Sequence, residues 1–70
     1  MMKKINGLHP TEILSNREFE IAKYLLEGYK TFEIAHQLNL KSNTVSTIKR
    51  NIFLKLRVES VIDLYKLLNN

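Results

Sequence analysis

The sequence predicts an all-α domain of four helices, and three observations carry that prediction. Apolar residues recur at three- and four-residue spacings through four successive segments. One proline and two glycines in 70 residues leave little to interrupt helices. Residues of the AVILMFWYC set make up 44% of the chain and charged residues 26%, a globular balance rather than a disordered one. A chain of this size buries only about 60% of the surface its unfolded form exposes, so it has little room for a pocket-bearing catalytic core.

Residues 1–13 have no clean period, and Gly7 and Pro10 interrupt them. They are expected to form a flexible N-terminal arm or linker with a turn at His9-Pro10, ahead of a domain over 14–70. Ser15-Asn16-Arg17-Glu18 fits a capping box, in which the Ser15 hydroxyl accepts the Glu18 amide while the Glu18 carboxylate reaches back. Leu14 can staple against the first turn. Ile21, Ala22, Leu25 and Leu26 define one apolar stripe, and Gly28 supplies the left-handed residue over which Tyr29 packs back. The first helix is therefore expected over about 16–27.

Thr31 is the expected cap of a second helix over 32–38, with Ile34, Ala35 and Leu38 inward. Asn39-Leu40-Lys41 makes a tight turn, because Asn tolerates positive φ better than other non-Gly residues. Ser42 is the expected cap of a third helix over 43–56, with Val45, Ile48, Ile52 and Leu56 inward. A fourth helix is expected over 60–68, with Val61, Leu64, Tyr65 and Leu68 on one face.

The net charge of +4 is unevenly placed. Residues 1–33 carry five basic and five acidic side chains. Residues 34–58 carry Lys41, Lys49, Arg50, Lys55 and Arg57 with no acid. One segment owns the positive field, which fits a polyanionic partner and, on composition alone, equally a solvated basic helix face.

Several chemistries are excluded or unsupported. There is no cysteine, so disulfides, thiol nucleophiles and Cys-ligated zinc are ruled out. His9 and His36 are far apart with no third ligand at a zinc-like spacing, which implies no metal. Glu18 and Glu20 face apart on a helix, and no phosphate loop or Ser-His-Asp set is present. No catalytic residue and no cofactor is expected. No apolar run exceeds three residues, so neither a membrane span nor a signal-peptide core is expected. The absence of cysteine leaves the compartment open, with a reduced cytoplasm as the default expectation.

The segment 31–50 carries the features of a helix-turn-helix. Ala35 is small where two helices must approach, Asn39 occupies a turn position that favours Gly, and Leu40, Val45 and Ile48 can hold the second helix across the first. At about 100° per residue, Asn43, Thr47 and Arg50 lie opposite the apolar stripe, with Ser46 beside them. Short polar side chains let a helix sink into the major groove of DNA, where an Arg can fork onto guanine O6 and N7. Thr44, Lys49 and Lys55 flank that stripe as phosphate-binding candidates, joined by Lys41 and Ser42 at its start. Asn-Thr-Val-Ser-Thr is poor helix-forming sequence, a cost that a binding role explains.

Leu14-Ser15-Asn16-Arg17-Glu18, Glu27-Gly28, Glu33-Ile34-Ala35, Leu38, Thr44-Val45-Ser46-Thr47 and Lys55-Leu56 together resemble the LuxR/FixJ-type helix-turn-helix domain, the C-terminal output module of many bacterial regulators. The resemblance covers about residues 14–66, and Thr44-Val45-Ser46-Thr47-x-Lys49 looks most like response regulators of the BvgA/EvgA kind. It implies a four-helix LuxR-type domain whose third helix enters the major groove of double-stranded DNA. Ser46, Thr47 and Arg50 match base-facing positions, with Asn43 as a further candidate, and Thr44 and Lys49 match backbone-facing ones. It also implies a fourth helix that pairs two copies on a palindromic operator; the apolar residues of that helix make Val61, Ile62 and Tyr65, with Leu67, the interface candidates. Departures from the family pattern are Asn39 and Arg57 where Gly is frequent, Lys41 where a capping Ser is common, Lys30 in place of a Ser, and an apolar Leu54 on the outward face. Many members carry an upstream receiver or sensor domain; with none here, the chain is expected to be a fragment or a stand-alone regulator. The alternatives from other classes are a basic helical protein-interaction module that docks an acidic partner, and a binder of structured RNA.

Overall fold

The computed structural model describes residues 7–68. Within them the chain forms α1 (Pro10–Ile13), α2 (Asn16–Leu26), α3 (Thr31–Leu38), α4 (Ser42–Leu56) and α5 (Val61–Leu68). The four expected helices are present, with ends shifted by one residue. An additional turn, α1, stands where the sequence suggested an arm. Pro10 opens that turn at a position where its missing N–H costs nothing, and the Glu12 carboxylate accepts the His9 amide at 3.0 Å. Pro10 and Leu14 are both buried, which ties this turn to the domain. The expected flexibility of the arm otherwise concerns residues 1–6, which lie outside the described residues.

α2 is closed at both ends by side-chain and backbone chemistry. The Ser15 hydroxyl accepts the Glu18 amide at 3.2 Å, and the Glu18 carboxylate accepts the Ser15 amide at 2.8 Å. At the other end Gly28 has φ +91°, the Gly28 amide donates to Leu25 O and the Tyr29 amide donates to Tyr24 O, both at 3.1 Å. These two bonds satisfy carbonyls that a helix end otherwise leaves open. The Tyr24 and Tyr29 rings meet edge to face with centroids 5.0 Å apart, sealing the turn.

The same closing geometry recurs without glycine. Asn39 (φ 55°) ends α3, and the Leu40 amide donates to Ala35 O at 2.8 Å. Arg57 (φ 56°) ends α4, and the Val58 amide donates to Phe53 O at 3.0 Å. The positions where the sequence departs from a frequent Gly are thus the left-handed residues themselves.

The core gathers Leu14, Ile21, Ala22, Leu25, Ile34, Ala35, Val45, Ile52, Leu56, Leu64 and Leu68. Fully burying a side chain such as Ile52 stabilises the fold by about 1.5–3 kcal/mol. α4 packs against α1, α2 and α3, and α2 also packs against α5. Its central place fixes which side of α4 meets solvent. One inward assignment fails: Tyr65 is 56% exposed, and α5 buries Leu64 and Leu68 while Val61 is half-buried. Tyr65 lies one residue past Leu64 and so turns about 100° away from it.

Candidate nucleic-acid interface

The N-terminus of α4 is left open. Its N-cap is Lys41, which makes no side-chain cap hydrogen bond, and the first turn contains no acidic residue. Ser42, the expected cap, is instead the first helical residue. α3 is similar in part: Lys30 is the N-cap rather than Thr31, and only the Glu33 carboxylate reaches back, accepting the Lys30 amide at 2.8 Å. A helix start with free amides and a neighbouring lysine carries positive potential suited to an anion.

Val45, Ile52 and Leu56 bury one face of α4, and Asn43, Ser46, Thr47 and Arg50 are exposed on the other. Those four side chains line a single shallow depression. Ser46 and Arg50 also border a second one, completed by Thr31, Lys49, Phe53 and Leu54. The four residues expected to face bases therefore share one surface. The Thr47 hydroxyl donates to Asn43 O at 3.0 Å, one turn back along the same helix.

The expected phosphate contacts separate into two groups. Lys41, Ser42 and Thr44 are exposed around the start of α4. Lys49 is half-buried, with its ammonium 5.6 Å from the centroid of the Phe53 ring, a cation–π contact that holds its stem against the helix. Lys55 is placed differently. Its Nζ lies 2.8 Å from Oε1 of the buried Glu18, so this exposed lysine, expected at a phosphate, is paired with α2 in a part-buried contact. Burial by itself would push the Glu18 carboxyl up, but the Lys55 ammonium and the Ser15 amide and hydroxyl together hold it below its ordinary value. Local spacing pairs Glu18 with Ser15, but a partner 37 positions away leaves no trace in it.

From the sequence, Thr31 is expected only as a helix cap. The structure sets it beside Lys49 and Arg50, at the start of the helix that crosses α4. Phe32 and Leu54 add exposed apolar surface on these two helices. On α2, by contrast, the depression lined by Glu20, Lys23, Tyr24 and Glu27 carries two acids and one base, a poor match to a polyanion. Ile62 and Tyr65 project from α5 into solvent.

A family model described as bacterial regulatory proteins, luxR family, matches residues 12–68. The chain belongs to the luxR family. This LuxR-type domain is 45% identical over 58 residues to the fimbriae Z protein of Salmonella typhimurium, covering 83% of this chain and 28% of that protein. It is 36% identical over 52 residues to the DNA-binding transcriptional activator EvgA of Escherichia coli K12, covering 74% of the chain and 26% of the activator. A putative transcriptional regulator of Pseudomonas aeruginosa is 45% identical over 59 residues, covering 84% of the chain and 28% of the relative. The chain spans little more than a quarter of the length of these relatives. No solved structure is a significant match. The resemblance carried by the quoted motifs is therefore a family membership, and α3, the Asn39 turn and α4 are the helix-turn-helix of a LuxR-type DNA-binding domain. Among the described residues no helix is long and apolar enough to cross a membrane.

Proposed function

We propose that this domain binds a duplex operator sequence-specifically, as the DNA-reading part of a cytoplasmic bacterial transcription regulator, with α4 seated in the major groove. One observation carries the reading: Asn43, Ser46, Thr47 and Arg50 share a single exposed depression on the side of α4 opposite its buried stripe. In this reading Arg50 forks onto a guanine, and Ser46, Thr47 and Asn43 meet neighbouring base edges. Lys41, Ser42, Thr44 and Lys49 hold phosphates, joined by Thr31 from the crossing helix. Lys55 keeps its role with Glu18. No catalytic step or cofactor enters the mechanism.

A single domain covers on the order of 600–1,000 Å² of contact and binds weakly alone. Pairing of two copies through α5 supplies the remaining affinity. Ile62, 67% exposed, and Tyr65 would form the seam with Val61 at its edge, and two-fold pairing makes a palindromic site the natural target.

The test is a titration with bulk duplex DNA at low salt, followed by added salt. Lys41 and Lys49 are the two cations assigned to phosphates, so log affinity should fall against log salt with a slope of about −2 per domain. Absence of retention at low salt contradicts the proposal.

A further inference from the structure

The side chain of Thr47 has an asymmetry that neighbouring polar residues need not share. Its hydroxyl proton is directed at Asn43 O, 3.0 Å away within α4, while the residue as a whole is exposed. A threonine tied back in this way spends its donor on its own helix. What it offers outward is a γ-methyl group and an oxygen that can only accept.

The four bases differ in how they answer such a surface. Guanine presents acceptors at N7 and O6 in the major groove, which an acceptor-only oxygen repels. Cytosine offers an N4 amino donor but no methyl group. Thymine offers the C5-methyl, and its adenine partner offers an N6 amino donor. Only the T·A pair answers both features at once.

The geometry points to Thr47 as a specificity-determining residue that selects a T·A pair beside the base read by Arg50. The inference rests on the proposed seating of α4 in the major groove and deepens it. Thr47 and Arg50 are three positions apart and line the same depression. At 1.5 Å of rise per residue, their targets fall roughly one to two base pairs apart. The predicted half-site therefore contains a G·C pair read by the guanidinium and, within that distance, a T·A pair read by methyl contact.

The experiment is a randomised-duplex selection run on the whole chain, on Arg50→Ala, and on two variants that split the side chain of Thr47. Thr47→Ser keeps the back-bonded hydroxyl and removes the methyl; Thr47→Val keeps the methyl and removes the oxygen. Arg50→Ala marks the guanine position by relaxing it. Thr47→Ser should lower thymine preference at the adjacent position by about fourfold, the worth of one buried methyl group. Thr47→Val should retain the part of that preference due to the methyl group and lose the part due to the oxygen facing the adenine N6 amino group. A half-site whose thymine enrichment survives Thr47→Ser unchanged, or disappears with Thr47→Val, overturns the inference while leaving the domain a DNA binder. A wild-type chain that retains no duplex at any sequence overturns the parent proposal, and this one with it.

Discussion

α2 opens on Ser15, whose hydroxyl caps the helix while Glu18 reaches back and also pairs with Lys55. α4 opens on Lys41, which caps nothing, and continues through Ser, Asn and Thr with no acid in its first turn. Both helices bury an apolar stripe in the same core. The difference lies in what each does with its remaining surface. α2 engages its polar groups at its own termini and in the ion pair with Lys55, whereas α4 leaves its first amides, the Ser42 and Ser46 hydroxyls and Arg50 without a side-chain partner among the described residues. A helix that tolerates poor propensity and an open start while staying central to the fold is arranged to meet something from outside.

The largest effect that sharpens this contrast is expected at Arg50. Arg50→Ala should weaken specific duplex binding by roughly 1–3 kcal/mol and relax one base position. Thermal unfolding should barely move, since surface changes away from caps and core stay within about 0.5 kcal/mol. Glu18→Ala should do the opposite. Loss of the reach-back bond and of the Lys55 partner should cost about 2 kcal/mol of stability, read by denaturant unfolding, without changing the base preference of the remaining folded protein.

Glu18 also gives the contrast a pH signature. Its folded-state pKa is lowered, so its contribution is complete above the ordinary value near 4.5 and is lost as pH falls through the folded-state value. The stability gap between the wild-type chain and Glu18→Ala should therefore narrow on acidification below about pH 4. A gap that stays constant from pH 7 to pH 3 would remove the ion pair from the account.

Lys41→Ser tests the open helix start directly. A capping hydroxyl should add about 0.5–1 kcal/mol of stability to α4, while loss of the lysine flattens the salt slope by about 1. Stability and DNA affinity should thus move in opposite directions. The smallest change is expected from Arg57→Gly. Removing a side chain held at φ 56° relieves left-handed strain and should stabilise the domain by about 0.5–1 kcal/mol, with DNA binding unaffected.

Local rules made much of the fold legible. Ser15 with Glu18, Gly28 with Tyr29, and Asn39 at the turn each act within six residues, and the structure keeps all three. α1 is hidden in the sequence because Pro10 also marks interruptions, although proline is favoured at the first helical position. Residue type points to Thr31 and Ser42 as caps, but they are the first helical residues and the N-caps are Lys30 and Lys41. Spacing alone places Tyr65 inward, because in a short helix it does not separate the edge of an apolar stripe from its centre. The outward stripe of α4 was legible because Val45, Ile52 and Leu56 fix its opposite face. The engagement of Lys55 was not, since it depends on how α2 and α4 cross.

Chemical-shift mapping of the backbone amides during titration with duplex DNA tests the central claim most directly. The account predicts that perturbations concentrate at Thr31 and along Lys41 to Arg50, with the outer face of α2 from Glu20 to Glu27 silent. Perturbations centred on that α2 face, with the start of α4 unmoved, would contradict it.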